Sequence, residues 1–232
     1  MLETRTDGLI VATCESDLKQ SNIKEAAQHV PMVLFDRLVE GSGIPTVIEE
    51  NEHGAYELVK HLISLGHQDI AIINSSASIS TVELRQRGYE RALLEAGIPR
   101  KPEFEYRGQF DEKTGYIGGK RVLTLEQRPS AIFCTNNFIT VGTMLAIQEL
   151  RLSIPQDVSI VSFGDLLVPE LITPRITAVI QNPEEVGSTA ALILLEALTN
   201  KNNQSDARRT SGEIVVLPTH VRLGDSVKPW RE

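Results

Sequence analysis

An α/β fold built on parallel sheets is what this sequence predicts, and three observations predict it. The first is a β-α-β unit, PSAIFCTNNFITVGTMLAIQELRLSIPQDVSIVSFGD, from Pro129 to Asp165. Its strands, Ala131 to Cys134 and Val158 to Phe163, flank an apolar segment reaching Leu150, long enough to hold the helix that parallel pairing requires. The second is that both strands carry apolar side chains on both faces, the pattern of a parallel sheet covered by helices on each side. The third is a rhythm of strand and helix along the whole chain, without internal repeats or low-complexity blocks.

The elements follow in order. Leu9 to Ala12 is a buried strand, and Asp17 to Gln28 a helix with Leu18, Ile23, Ala26 and Ala27 inward, stopped by Pro31. Met32 to Phe35 is a strand ending in Asp36 and Arg37; after the Gly41, Ser42, Gly43 turn, Thr46 to Ile48 is a third. These three strands with one helix make a poor sheet by themselves. Gly54 to Leu65 is a strong helix with Ala55, Leu58, Val59, Leu62 and Ile63 on one face, ended by Gly66 in a left-handed turn. Asp69 to Ile73 is a strand, closed by the small polar loop Asn74 to Ser78. The helix Val82 to Ala96 stops at Gly97 and Pro99, a weaker strand lies near Phe104 to Arg107, and the helix Lys113 to Leu125 leads into the central unit. Beyond Asp165 come a strand at Ile176 to Ile180, Pro183 in the first turn of a helix Glu184 to Leu198, and a polar loop from Thr199 to Gly212. Glu213 to Leu217 and His220 to Leu223 read as a final hairpin or paired strands.

Composition bounds the function. With 232 residues and 41% apolar content the chain can bury one large or two modest cores. Its 23 basic against 31 acidic residues leave a net charge of −8, with basic residues clustered only in pairs, so the polypeptide by itself repels phosphate backbones. Cys14 and Cys134 sit at or inside expected strands and are expected to be reduced and buried. The charged start MLETRTDG and the short apolar run after it suit neither a signal peptide nor a membrane span, which points to the cytoplasm.

No motif of catalysis is present: there is no nucleophile elbow, phosphate loop, dinucleotide fingerprint, HExxH or CxxC, so neither an enzyme nor a cofactor is expected. His53, Glu57 and His61 share a helical face, but the polar side of an amphipathic helix explains them better than a metal does. The informative residues lie on strand-end loops, the side on which open parallel sheets bind ligands. Asn136, Asn137 and Asp165 end the strands of the central unit, and their amides and carboxylate suit hydroxyls; helix capping or turn duty explains them about as well, and the two roles are compatible. Arg85 has only Thr81, Val82, Gly88 and Tyr89 three or four positions away, so it lacks a local ion-pair partner and is expected to reach a ligand with its planar fork of donors, unless it is a solvated surface residue. Asp36, Thr81 and Gln181 lie at other strand ends, and Phe110 could stack on a sugar or base.

Five segments in order, LGHQDIAII, ELRQRGYERALLEAGI, PSAIFCTNN with its helix, IPQDVSIVSFGDL and TPRITAVIQNPEEVG, resemble the regulatory core of LacI/GalR-type bacterial transcription regulators, over nearly the whole chain from Asp7 to Asp225. The resemblance implies a periplasmic-binding-protein-like type I core: two doubly wound parallel-sheet lobes joined by three crossovers, a sugar-like or nucleobase-like effector in the cleft, and a homodimer. By position it assigns Asp36, Thr81, Arg85, Phe110, Asn136 and Gln181 to the cleft lining. Asn137 stands where the family usually has Asp, and Gly164-Asp165 lacks the first acid of the usual strand-end pair. Crossovers near Ile48, Gln181 and Ala207 would give one lobe from residues 1–48 plus 182–206, another from 49–181 plus 207–225, and a tail at 226–232. Neither the family's DNA-binding headpiece nor the first strands of its first lobe is recognisable, so the chain is expected to be a fragment or to begin at an internal Met, with an incomplete amino-terminal lobe and operator DNA contacted only through the headpiece. The alternative on the same architecture is a solute-binding protein of a transport system.

Overall fold

The computed structural model describes residues 6–13, 20–200 and 212–230. In chain order the elements are β1 (Leu9–Ala12), α1 (Gln20–His29), β2 (Met32–Phe35), β3 (Thr46–Glu49), α2 (Asn51–Ser64), β4 (Ile70–Ser75), α3 (Ser80–Glu95), β5 (Glu105–Gly108), α4 (Glu112–Leu123), β6 (Ala131–Cys134), α5 (Asn137–Glu149), β7 (Ser159–Phe163), β8 (Thr177–Ile180), α6 (Pro183–Asn200), β9 (Ile214–Leu217) and β10 (His220–Arg222). They form two compact units: residues 1–50, 78–81 and 182–218, and residues 51–77, 82–181 and 219–232.

The first unit holds a four-stranded parallel sheet in the order β1-β2-β3-β9. Alternate residues of β2 divide between two cores. Met32 and Leu34 pack with Leu9, Val11 and the α1 residues Ile23, Ala26 and Ala27, whereas Val33 and Val47 pack against Val186, Ala190, Ile193 and Leu194 of α6. That spacing on α6 is one helical stripe. The expected closing hairpin does not form. β9 pairs with β3 in parallel, Val47 opposite Val215, while β10 pairs antiparallel with β8 in the other sheet. Only Pro218 and Thr219 separate the two strands, and neither supplies the positive φ that a two-residue hairpin turn needs. Residues 213–217, expected in the second lobe, therefore belong to the first sheet; position 207 and Cys14 lie outside the described residues.

The second unit holds a six-stranded sheet in the order β10-β8-β7-β6-β4-β5, parallel except for β10. Every residue of β4, β6 and β7 is buried, and successive residues feed opposite layers. Ile70, Ile72, Ala131 and Phe133 meet Leu58, Val59 and Leu62 of α2 and Tyr89 and Leu93 of α3, while Ala71, Ile73, Ile132 and Cys134 meet Val122 of α4 and Ile139 and Ile147 of α5. Gly66 does end α2 with a φ of 92°. The segment expected to be a tail is built in: the Ser226 side chain is fully buried, accepting from Thr177 N at 2.8 Å and donating to the Ile160 carbonyl at 2.7 Å, which ties the entries of β7 and β8 together.

Candidate functional site

Because β5, β4, β6, β7 and β8 run in parallel, their carboxyl ends meet one edge of the second unit's sheet. The residues just beyond are Ser76, Phe110, Thr135 to Asn137, Gly164-Asp165 and Gln181. Six of the eight sequence-predicted residues, Arg85, Phe110, Asn136, Asn137, Asp165 and Gln181, belong to this unit; Asp36 and Thr81 group with the first.

Asn136 does two things with one amide. Its backbone is extended, its Oδ1 accepts from Ile139 N at 2.8 Å, and so it caps α5. Its Nδ2 is buried and has no hydrogen-bond partner among the described residues. A buried amide donor left unpaired costs free energy comparable to a lost hydrogen bond, so this N–H₂ is poised for an incoming acceptor. Asn137, the first residue of α5, turns its Oδ1 back to Phe138 N at 3.0 Å.

Arg85 is not the unoccupied cation expected from its spacing. It is 5% exposed: its Nε donates to Asn51 Oδ1 at 2.8 Å, its Nη1 donates to the Thr135 carbonyl at 2.7 Å, and its guanidinium lies 3.8 Å from the centre of the Phe163 ring. The partners are 34 and 50 residues away in sequence, which is why helical spacing could not show them. Thr135 is held a second time, donating to Asn74 Oδ1 at 2.8 Å, and Asn74 Nδ2 donates to Gln86 Oε1 at 3.1 Å. Arg85 thus ties the start of α2 and the ends of β6 and β7 into one buried polar network that includes Thr135, the residue before Asn136.

Asp165 is also engaged. Both its carboxylate oxygens accept from the Arg222 guanidinium, Nη2 donating to Oδ1 at 2.7 Å, and the hydrogen bonding to Asp165 holds the Arg222 pKa above its usual value. Leu166 N donates to the same Oδ1 at 2.9 Å. Gln181 lies opposite Gly164, where a Cβ would come within 3.1 Å of Gln181 Oε1; Gly164 also has a φ of 86°, which an L side chain rarely adopts. Phe110 is 37% exposed, beside Asp111, which caps α4 by accepting from Thr114 N at 2.8 Å. In the first unit, Thr81 is buried, and Asp36 takes a φ of 68° with its carboxylate 3.3 Å from Arg37 Nε.

Sequence reasoning missed Asn51, Asn74, Gln86 and Arg222. Asn74 begins the polar end of an apolar strand run and reads as loop from sequence; the others carry no signal of their own. The chemistry on offer is hydrogen bonding and ring contact. Cys134, at the end of β6, is wholly buried, and burial pushes its thiol up to about 12. Among the described residues no three His, Cys, Asp or Glu side chains converge to hold a metal. No described helix is long and apolar enough to cross a membrane.

Residues 59–227 match the Periplasmic binding protein-like domain family. The chain is 33% identical over its whole length to the HTH-type transcriptional repressor PurR of Erwinia tasmaniensis, covering 67% of that protein. It is 31% identical to the probable HTH-type transcriptional repressor ExuR of Bacillus subtilis, with 94% of this chain and 66% of that one aligned. It thus spans about two thirds of the length of these curated relatives. The crystal structure of a LacI family transcriptional regulator from Enterococcus faecium with bound ribose superposes with a TM-score of 0.83 at 27% identity, covering 97% of this chain and 81% of that one.

Proposed function

This chain belongs to the periplasmic-binding-protein-like family, as the effector-binding core of a LacI-type transcription regulator, and from that premise we propose that the carboxyl edge of its second sheet recognises a small, hydroxyl-rich or nucleobase-like effector. One observation carries the reading: the buried Asn136 Nδ2, unpartnered among the described residues, follows the Arg85-bonded Thr135 at the edge where parallel sheets bind ligands. Asn137, Gln181 and the half-exposed Phe110 would add acceptors, donors and a stacking face. Arg85 would act chiefly by holding Thr135 and Asn136 in place. The ribose complex of the Enterococcus faecium relative supports a sugar-sized ligand.

The same regulator would work as a cytoplasmic homodimer without catalysis; the matched relatives named above are repressors. Its partner surface would be the apolar face of α5 with the segment after β7, where Val141, Met144, Leu145 and Ile172 line a groove of about 520 Å³ and Leu167 and Leu171 are 95% and 79% exposed. Operator contact would fall to a separate headpiece, because this acidic core repels DNA. Titration calorimetry against a panel of neutral pentoses, hexoses, nucleosides and purine bases tests the reading: saturable heat with at least one of them is expected, and heat with none would reject this effector class.

A further inference from the structure

The single tryptophan of the chain, Trp230, lies on a histidine that the effector site does not use. His67, in the turn between α2 and β4, is completely buried. Its Nδ1 lies 2.8 Å from Ser130 Oγ, its Nε2 lies 3.1 Å from the Lys228 carbonyl, and its ring stacks on Trp230 with centroids 5.9 Å apart. Trp230 N donates in turn to the Leu65 carbonyl at 2.8 Å, and Lys228 N donates to Ser159 Oγ at 3.3 Å. The stretch 228–230 is therefore clamped against the turn that follows α2, with the His67 ring at the centre of the clamp.

The tautomer follows from the partners. A carbonyl can only accept, so Nε2 carries the hydrogen and Nδ1 accepts from the Ser130 hydroxyl. Protonation would leave every hydrogen bond possible, Nδ1 then donating to Ser130 Oγ while that hydroxyl donates to the Asp69 carbonyl 3.2 Å away. What opposes the charge is its setting. The ionisable groups that face the ring are cations or their precursors, Lys228 from the clamped stretch and His61 from α2, and the nearby Asp69 carboxylate is already paired with Lys101.

We propose that His67 is a proton-operated latch: neutral, it holds residues 228–230 against the turn that follows α2, and charged, it releases them. Burial, with smaller contributions from Lys228 and His61, lowers the imidazole below its ordinary range, only partly offset by the Lys228 carbonyl. The folded pKa lies below that of the released segment, so docking is at full strength above the ordinary histidine range and is lost as pH falls through that range toward the folded value.

The test uses the full chain. Trp230 emission and its quenching by acrylamide are followed from about pH 8 to about pH 5, with far-ultraviolet circular dichroism read in parallel. The expected result is a red shift and a rise in the quenching constant of about twofold as pH falls, while the dichroism stays constant. His67→Gln should flatten the transition, and His61→Gln should leave it in place. If His67→Gln fails to fold, the His67 Cε1 proton resonance of the native chain is titrated instead, and its midpoint should coincide with that of Trp230. An unchanged Trp230 signal, a transition persisting in His67→Gln, separate midpoints, or loss of dichroism together with the Trp230 change would each overturn the proposal.

Discussion

At Asn136 the two halves of one side-chain amide can be separated by substitution. Asn136→Ala removes the cap and should cost about 1 kcal/mol in denaturant unfolding. Asn136→Asp keeps an oxygen for Ile139 N beside a helix amino terminus that favours negative charge, but it puts a carboxylate oxygen where a buried N–H₂ stood, so it should stay folded with a loss of about 1–2 kcal/mol. Arg85 should be costlier. Arg85→Ala leaves Asn51 Oδ1 and the Thr135 carbonyl buried without their donor and uncovers the Phe163 ring; a loss of about 3 kcal/mol is expected by the same measurement. A loss under about 0.5 kcal/mol would mean that the network does not hold the edge together. The position of Arg85 on its helix was legible in the sequence, but its role was not, because its partners come from α2 and from the end of β6. The same limit applies to Asp165, whose partner Arg222 lies on an antiparallel strand 57 residues later.

At the level of elements, the packing of α4 on α5 depends on glycine. A Cβ on Gly142 would come 1.8 Å from the Glu112 carbonyl oxygen, and one on Gly115 would come 2.0 Å from that of Ile139, so these helices touch backbone to backbone. Gly142→Ala should destabilise the chain by about 3 kcal/mol, read by thermal or chemical unfolding, and by pushing α5 outward it should also disturb Asn136 at its start. The β-α-β core was readable because apolar residues on both faces of short strands admit few other arrangements, and the strands found differ from those expected by a residue or two at their ends. α2 begins at Asn51 instead of Gly54, and Gly54 lies inside it where a Cβ would meet Thr219 and Phe163. The strand β9 was misassigned for a different reason. Its alternation of exposed Ile214 and Val216 with half-buried Val215 and Leu217 describes one covered face of a strand, but carries no information about which sheet supplies the cover.

For the whole molecule, charge and apolar surface make separate predictions. The acidic chain should give no shift of duplex DNA in electrophoresis at physiological salt, and a shift that weakens as salt is raised would contradict the assignment of DNA contact to a separate headpiece. The exposed Leu167 and Leu171 should hold two copies together, so that Leu171→Asp shifts the sedimentation coefficient from dimer toward monomer at micromolar concentration; an unchanged dimer would move the interface elsewhere. Calorimetry of Asn136→Asp against whichever effector binds the native chain decides whether the sheet edge beside the Arg85 network senses a ligand through Asn136. A folded variant with at least about a tenfold loss of affinity is expected, the cost of replacing a donor by an acceptor at a buried contact. Equal affinity in the folded variant would contradict it.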